Sequence, residues 1–369
     1  MPTSGCRHCT RFPSIVRIVV TGGAGFIGAT LCLRLVERHA TWEIIAFDNL
    51  RRRGSELNVS RLRDAGVGFR HGDVRVRSDL DALGDFDALV ECSAEPSAQA
   101  GLRDSPGYVI DTNLVGAHHC LKAVFDRGAY LVFLSTNRVY PVAALRELEL
   151  REAETRFELG SRQKIDGVSA VGVSERFSLA GARTFYGATK LAAELLIAEY
   201  VEAFGLRAVV DRCSVVVGPW QMGKIDQGVF SYWLACHRFG RSLSYFGYGG
   251  TGKQVRDVLH VDDLAELVDD QLSRPDHWTG FTGNVGGGRP FSLSLREATE
   301  LCQEITGNQV PVEGVEDSTP GDIPWYISDC AQLFAHTDWR PNRPPRRALE
   351  DIDGWIHDHE RPVREALGW

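Results

Sequence analysis

The sequence predicts an α/β fold, a doubly wound parallel sheet followed by a smaller α/β C-terminal part. Three observations predict it. Short β-branched runs alternate with helical stretches through the first 212 residues, a glycine-rich turn joins the first run to the first helix, and the alternation breaks down afterwards.

The chain has 369 residues, 43% hydrophobic and 24% charged, enough for one large core or two that share an interface. A net charge of −8 leaves no basic stripe to neutralise phosphates, so no nucleic acid is expected as a partner. No apolar run approaches the roughly 20 residues needed to span a bilayer, so no membrane is expected either. The first residues, MPTSGCRHCTRFPS, lack the apolar stretch of a signal peptide. Nine scattered cysteines form no disulfide framework, and their odd count fits a reducing compartment; a cytoplasmic protein is expected. Cys6 and Cys9 flank His8 with CxxC spacing. A zinc or redox reading needs a second ligand pair or a βαβ context, and neither is nearby. Residues 1–13 therefore read as a flexible tail, and no metal is expected.

The first strand and helix are carried by IVRIVVTGGAGFIG at 15–28. Ile15 to Val20 suits a strand buried on both faces. Gly22 allows the tight turn, Gly25 lets the backbone approach a pyrophosphate, and Gly28 lets helix and strand pack closely. The helix start offers free N–H groups and a positive dipole end to phosphates. The second strand, Glu43 to Phe47, ends at Asp48, about 20 residues past the last glycine, where a carboxylate would accept from an adenosine ribose. That acid repels a 2′-phosphate and favours NAD over NADP. Arg51, Arg52 and Arg53 are the competing signal, a 2′-phosphate clamp or a solvated loop.

Further strand-like runs are Val67 to Arg70, Ala88 to Cys92, Tyr130 to Leu134 and Ala208 to Val210, with helical stretches such as Tyr108 to Arg127 and Thr189 to Phe204 between them. The ligands of such a Rossmann sheet sit beyond the strands' C-terminal ends. LSTNRVYP at 134–141 stands at one such end. Downstream, YGATK puts Tyr186 and Lys190 four apart on one helix face. An ordinary tyrosine titrates near 10, and a lysine ammonium one turn away favours the phenolate. Tyr186 could then remove a hydroxyl proton while hydride leaves the same carbon.

With TGGAGFIG, FDNL, HGDV, YGATK, GKQVRDVLHVDDL and NVGGG in hand, the chain resembles the extended short-chain dehydrogenases/reductases of the nucleotide-sugar epimerase/dehydratase family over about residues 15 to 360. The resemblance implies Thr136, four residues before Tyr140, as a catalytic partner of Tyr186 and Lys190, with Asn113 supporting the relay. It implies NAD held by Gly22, Gly25, Phe26, Ile27, Gly28, Asp48, Asn49, Asp73, Val74, Ser93, Ala94, Ser135, Tyr186, Lys190 and Val215. A nucleotide-diphosphate sugar would meet Glu95, Asn137, Arg138, Gln227, Lys253 and Arg256, and a homodimer is expected.

Sugar 4,6-dehydratases of this family read STDEVY and use the Asp and Glu to eliminate water. This chain has Asn137 and Arg138 there. Asn does not titrate and Arg stays charged, so dehydration is disfavoured and epimerisation at one carbon remains. STNRVY, FDNLRRRGSELN and DQG at 226–228 resemble the CDP-paratose 2-epimerases, whereas Pro141, CSAEPS and TPGD depart from the common pattern. The enzymatic alternative is a dehydrogenase or reductase with exchangeable NAD(P). The alternative from another class is a non-catalytic NAD sensor, which intact Thr136, Tyr186 and Lys190 argue against.

The expected division is 14–212 for NAD and 213–369 for the nucleotide sugar, with some chain crossover. Aromatic, glycine-rich loops such as VGPWQMGKIDQGVFSYW mark the second part, most of their rings read as core. Asp262 and Asp263 read as helix caps and Asp329 as structural. The long connection 142–183 reads as a surface excursion whose second half lines the sugar pocket.

Overall fold

The computed structural model describes residues 17–102, 105–224 and 227–369. The expected tail, with Cys6, His8 and Cys9, lies outside the described residues.

Seven strands form one parallel sheet: β1 (Arg17–Thr21), β2 (Glu43–Asp48), β3 (Gly68–His71), β4 (Ala88–Glu91), β5 (Tyr130–Thr136), β6 (Arg207–Cys213) and β7 (Thr282–Val285). Their order across the sheet is β7-β6-β5-β4-β1-β2-β3. The chain moves outward from β1 on one side and from β4 on the other, as double winding requires. Alternate residues of β1 face opposite cores. Ile18 and Val20 pack with α1 (Phe26–Arg38) and the helix Val261–Ser273, while Val19 packs with α2 (Gly116–Arg127) and α3 (Phe185–Phe204). Each such aliphatic side chain contributes roughly 1.5–3 kcal/mol by leaving water. The edge strand β7 comes from beyond residue 280, so the chain returns to the large sheet after starting the second part.

Two helices differ from expectation. The stretch 108–127 is broken by a π-helical turn, Asp111–Val115, which hands over to α2 at Gly116. Inside it the Asn113 amide bonds the Glu95 backbone in both directions, at 2.7 and 3.1 Å. Helix α3 begins at Phe185, four residues before Thr189, because the Thr184 hydroxyl caps it by accepting from the Gly187 N–H.

The second part packs the helices Val229–Arg238, Leu295–Thr306 and Pro345–Asp358 around Trp233, Leu234, Leu349 and Trp355. The strand Val255–His260 links it to the first part by pairing with Val215–Val217, Ser292–Ser294 and Trp325–Tyr326. Asp262 and Asp263 are not caps: His260 caps that helix through its ring, Asp262 pairs with Arg34, and Asp263 takes Arg343 and two backbone N–H groups. Asp329 is structural, its carboxylate accepting from the Ala331 N–H just before a short helix capped by Cys330. The excursion starts as a hairpin, Leu150–Glu152 with Phe157–Leu159. In its second half Val173 and Phe177 pack against Tyr140 and Tyr326, while most of residues 161–183 stay exposed or half-buried. Among the described residues, no helix is long and apolar enough to cross a membrane.

Candidate active site

The glycine turn closes one end of a cavity of about 450 Å³. Gly22 sits at φ +63°, and a Cβ there would lie 2.9 Å from the Cys92 carbonyl carbon. At Gly28 a Cβ would lie 2.2 Å from the Gly22 oxygen, so only glycine lets α1 start against the turn. Gly25 precedes α1 and gives it no side-chain cap, leaving first-turn amides for a ligand. Gly22, Gly25, Phe26, Ile27, Gly28, Asp48, Asn49, Val74, Ser93, Ala94 and Glu95 line this cavity, and Trp220, Met222 and Gln227 close it from the second part. A backbone cradle at a helix start, beside an acid, suits the pyrophosphate and ribose of a dinucleotide.

Asp48 is less free than expected. Its carboxylate accepts from the Ala24 N–H at 3.0 Å and the Leu50 N–H at 2.7 Å, and burial pushes its pKa up. It fastens the cradle as well as lining it, and the carboxylate keeps acceptor capacity for a ribose hydroxyl beyond these backbone donors. Asp73 does not line the cavity. Arg75 grips its carboxylate at 2.6 Å, holds it well below the usual range, and leaves Asn49 to bond it at 2.9 Å. Ser135 and Val215 also stand outside the cavity wall. The Ser135 hydroxyl donates to Glu194, and Val215 packs with the second core. The arginine run lines the same cavity, with Arg51 and Arg53 exposed, and each of the three also has a contact within the fold. Arg51 stacks on Tyr108 at 4.1 Å, Arg52 donates to the Met222 carbonyl and Gln227, and Arg53 donates to the Glu365 carbonyl.

Thr136, Tyr186 and Lys190 converge at the end of β5. A Cβ at Gly187 would lie 2.0 Å from the Arg138 carbonyl oxygen, so this glycine lets α3 start against the strand end. Tyr186 then stands beside Thr136, close enough for the threonine hydroxyl to act on its pKa. Burial raises the Tyr186 pKa, while Lys190, Thr136 and Arg138 pull it down. Lys190 is buried, with Nζ 3.2 Å from Glu91 and 4.1 Å from the Phe133 ring centre. Burial works against its ammonium; Glu91 and Tyr186 outweigh that and leave its pKa raised. Asn113 is spent on the Glu95 backbone and reaches the group only through that loop.

On the sugar side, Asn137 is buried and Arg138 lies near Tyr186, Tyr248, Asp322 and Arg256. Arg138 donates to the Gly321 carbonyl at 3.1 Å, and burial pushes its pKa down to about 10. Arg256 pairs with Asp322 at 3.0 Å and donates to the Ile323 carbonyl at 2.7 Å. Lys253 is tied to Glu152 at 2.8 Å and holds the excursion hairpin instead of standing free for a phosphate. Gln227 accepts from Arg52. Glu95 accepts from the Ser97 N–H at 3.2 Å and forms no ion pair among the described residues.

Sequence reasoning missed Glu91, Tyr108, Arg75 and Trp220. The signal for Glu91 was available: an acid closing the apolar strand ALVE. Trp220 carries the signal of a bulky residue at φ +70°, visible only in three dimensions.

The family model described as "NAD dependent epimerase/dehydratase family" matches residues 18–286. The chain is 27% identical to the CDP-paratose 2-epimerase of Salmonella typhi, over 92% of this chain and 99% of that one. It is also 27% identical to a dTDP-glucose 4,6-dehydratase of Mycobacterium tuberculosis, over 95% and 97%. The solved UDP-glucose 4-epimerase of Thermus thermophilus, in complex with NAD, superposes with a TM-score of 0.71 at 26% identity, over 93% of this chain and 99% of that one. The cradle and the matched 269-residue span (18–286) agree: this chain belongs to the NAD dependent epimerase/dehydratase family, whose cofactor is NAD.

Proposed function

We propose that the chain epimerises a nucleotide-activated sugar by transient oxidation, with CDP-linked sugars of the paratose type the first substrates to try. The observation that carries the reading is the end of β5, where Asn137 and Arg138 follow Thr136 beside Tyr186. Elimination of water needs one group to protonate a departing hydroxyl and another to take a carbon-bound proton. An amide does neither, and a guanidinium with a pKa of about 10 stays charged at neutral pH.

Thr136 orients the sugar hydroxyl, Tyr186 takes its proton, and Lys190 supports the phenolate. Gly22, Gly25, Gly28 and Asp48 would hold NAD, which would supply the reversible hydride acceptor for that carbon. Arg138, Arg256, Asn137, Gln227 and Glu95 hold the nucleotide sugar, and Asn113 positions Glu95. Residues 14–212 serve the cofactor and 213–369 the nucleotide sugar. A second copy covers the exposed aromatic face of α2 and α3, where Phe125 meets Tyr200 at 5.4 Å and Phe204 at 5.1 Å. The seven described cysteines are unpaired, which suits the cytoplasm.

Incubating purified protein with CDP-, UDP- and dTDP-sugars and separating products by chromatography tests this reading. A new isomer formed without added reductant supports it. Turnover only with stoichiometric consumption of NAD(H) makes the chain a dehydrogenase instead.

A further inference from the structure

Lys190 and Glu91 make an ion pair in which both side chains are 2% exposed. Nothing in the acid–base reading of Tyr186 calls for a carboxylate there. Glu91 closes β4, accepts from the Ser93 hydroxyl, and reaches the ammonium one helical turn from Tyr186. We propose that Glu91 is a positioning residue whose buried carboxylate holds the Lys190 ammonium in place and offsets its charge at Tyr186.

The groups around the pair fit this role. From the end of β4 comes Glu91 and from just beyond it the Cys92 thiol, from β5 the uncharged Phe133 ring, from β6 the Cys213 thiol, and from α3 Tyr186. On α2, the Cys120 thiol faces Glu91, and His118 shares with Glu91 the wall of a void of about 10 Å³. Burial drives the three thiols to higher pKa and keeps them neutral. Glu91 is thus the anion that faces Lys190 among the described residues. With glutamate, lysine and neutral tyrosine, the trio carries no net charge; Arg138 faces Tyr186 from beyond β5 in wild type and variant alike, and losing a proton leaves the trio a buried anion. Without the carboxylate the trio starts at +1 and the same loss neutralises it, which is easier in a low dielectric.

The proposal rests on Tyr186 as the acid–base group, so one readout is independent of turnover. In the holoprotein, phenolate absorbance is titrated for wild type, Y186F and E91Q, and the Y186F curve is subtracted to isolate Tyr186. Tyr186 and Lys190 titrate as a coupled pair, and their first proton loss should move to lower pH in E91Q by about one pH unit or more. The acid limb of the turnover profile should move the same way, and E91D should restore part of both. If Y186F keeps wild-type turnover while E91Q still moves the titration, the catalytic reading fails and the Glu91 proposal stands. If E91Q lowers only the melting temperature and leaves both curves in place, Glu91 is structural and the proposal is overturned. Should E91Q not fold, E91D carries the test: a smaller shift in the same direction supports it, and an unmoved curve overturns it.

Discussion

In the cofactor cradle the main chain meets the ligand, at Gly22, Gly25 and the uncapped start of α1; beside Tyr186 the work falls to side chains, at Glu91, Lys190, Arg138, Arg256 and Asp322. The first arrangement needs small residues at fixed spacing and tolerates almost nothing in their place. The second needs charges that balance one another, and each charge has its own partner. A glycine change in the cradle should therefore act on cofactor and fold together. A charge change beside Tyr186 should act on chemistry and pH first, with a stability cost where it leaves a buried partner such as Lys190 unpaired.

The largest effect expected is at the tyrosine. Tyr186→Phe should lower turnover roughly 10²–10⁴-fold, as loss of a positioned acid/base does, with NAD affinity unchanged. Wild-type-like turnover would remove Tyr186 from the chemistry. Next comes Gly28→Ala, whose Cβ must displace the Gly22 carbonyl 2.2 Å away. It should cost about 1–3 kcal/mol of stability and weaken NAD binding in the same sample. Unfolding curves with and without NAD would separate the two, and an unchanged NAD increment would break the comparison.

A third change lies away from both sites. Asp211, on β6, is fully buried, bonds the Gln271 amide at 2.9 Å, and is pushed by burial up to about 7. Its folded pKa is above the unfolded one, so its contribution is present below about 4 and is lost as pH rises towards about 7. Asp211→Asn should flatten that decline, by about 1 to 4 kcal/mol over the window, without moving the pH profile of turnover. A decline equal to wild type in denaturant titrations at several pH values would mean the carboxyl is charged in the fold. The smallest effect should come from Glu95→Gln, because an amide oxygen still accepts from Ser97. Turnover should fall a few-fold if the charge meets the sugar, with the melting temperature of the NAD-bound protein unmoved. Lost thermal stability at full turnover per folded molecule would make Glu95 a loop holder.

The same division explains what the sequence made legible. GGAGFIG announces the cradle because a backbone site must be written in glycines, and YGATK announces Tyr186 and Lys190 because both lie on one helix turn. Glu91 is 99 residues from Lys190 in sequence, and no local spacing joins them. Lys253 read as a phosphate ligand for the same reason, since the Glu152 that occupies it lies 101 residues away. Asp73 and Ser135 carried the expected residue types, yet Arg75 and Glu194 had already claimed them. The return of β7 to the large sheet was hidden because a four-residue strand, TGNV, has little pattern of its own.

The central claim is that the sugar is oxidised and reduced without losing water. Mass spectrometry of the product formed from a nucleotide sugar in deuterated water tests it most directly. The account predicts a product of the substrate's mass with no deuterium on carbon, because the hydride that leaves the sugar comes back to it. A product lighter by one water and carrying solvent deuterium on carbon would contradict it, and would mean that a group other than Asn137 or Arg138 performs the elimination.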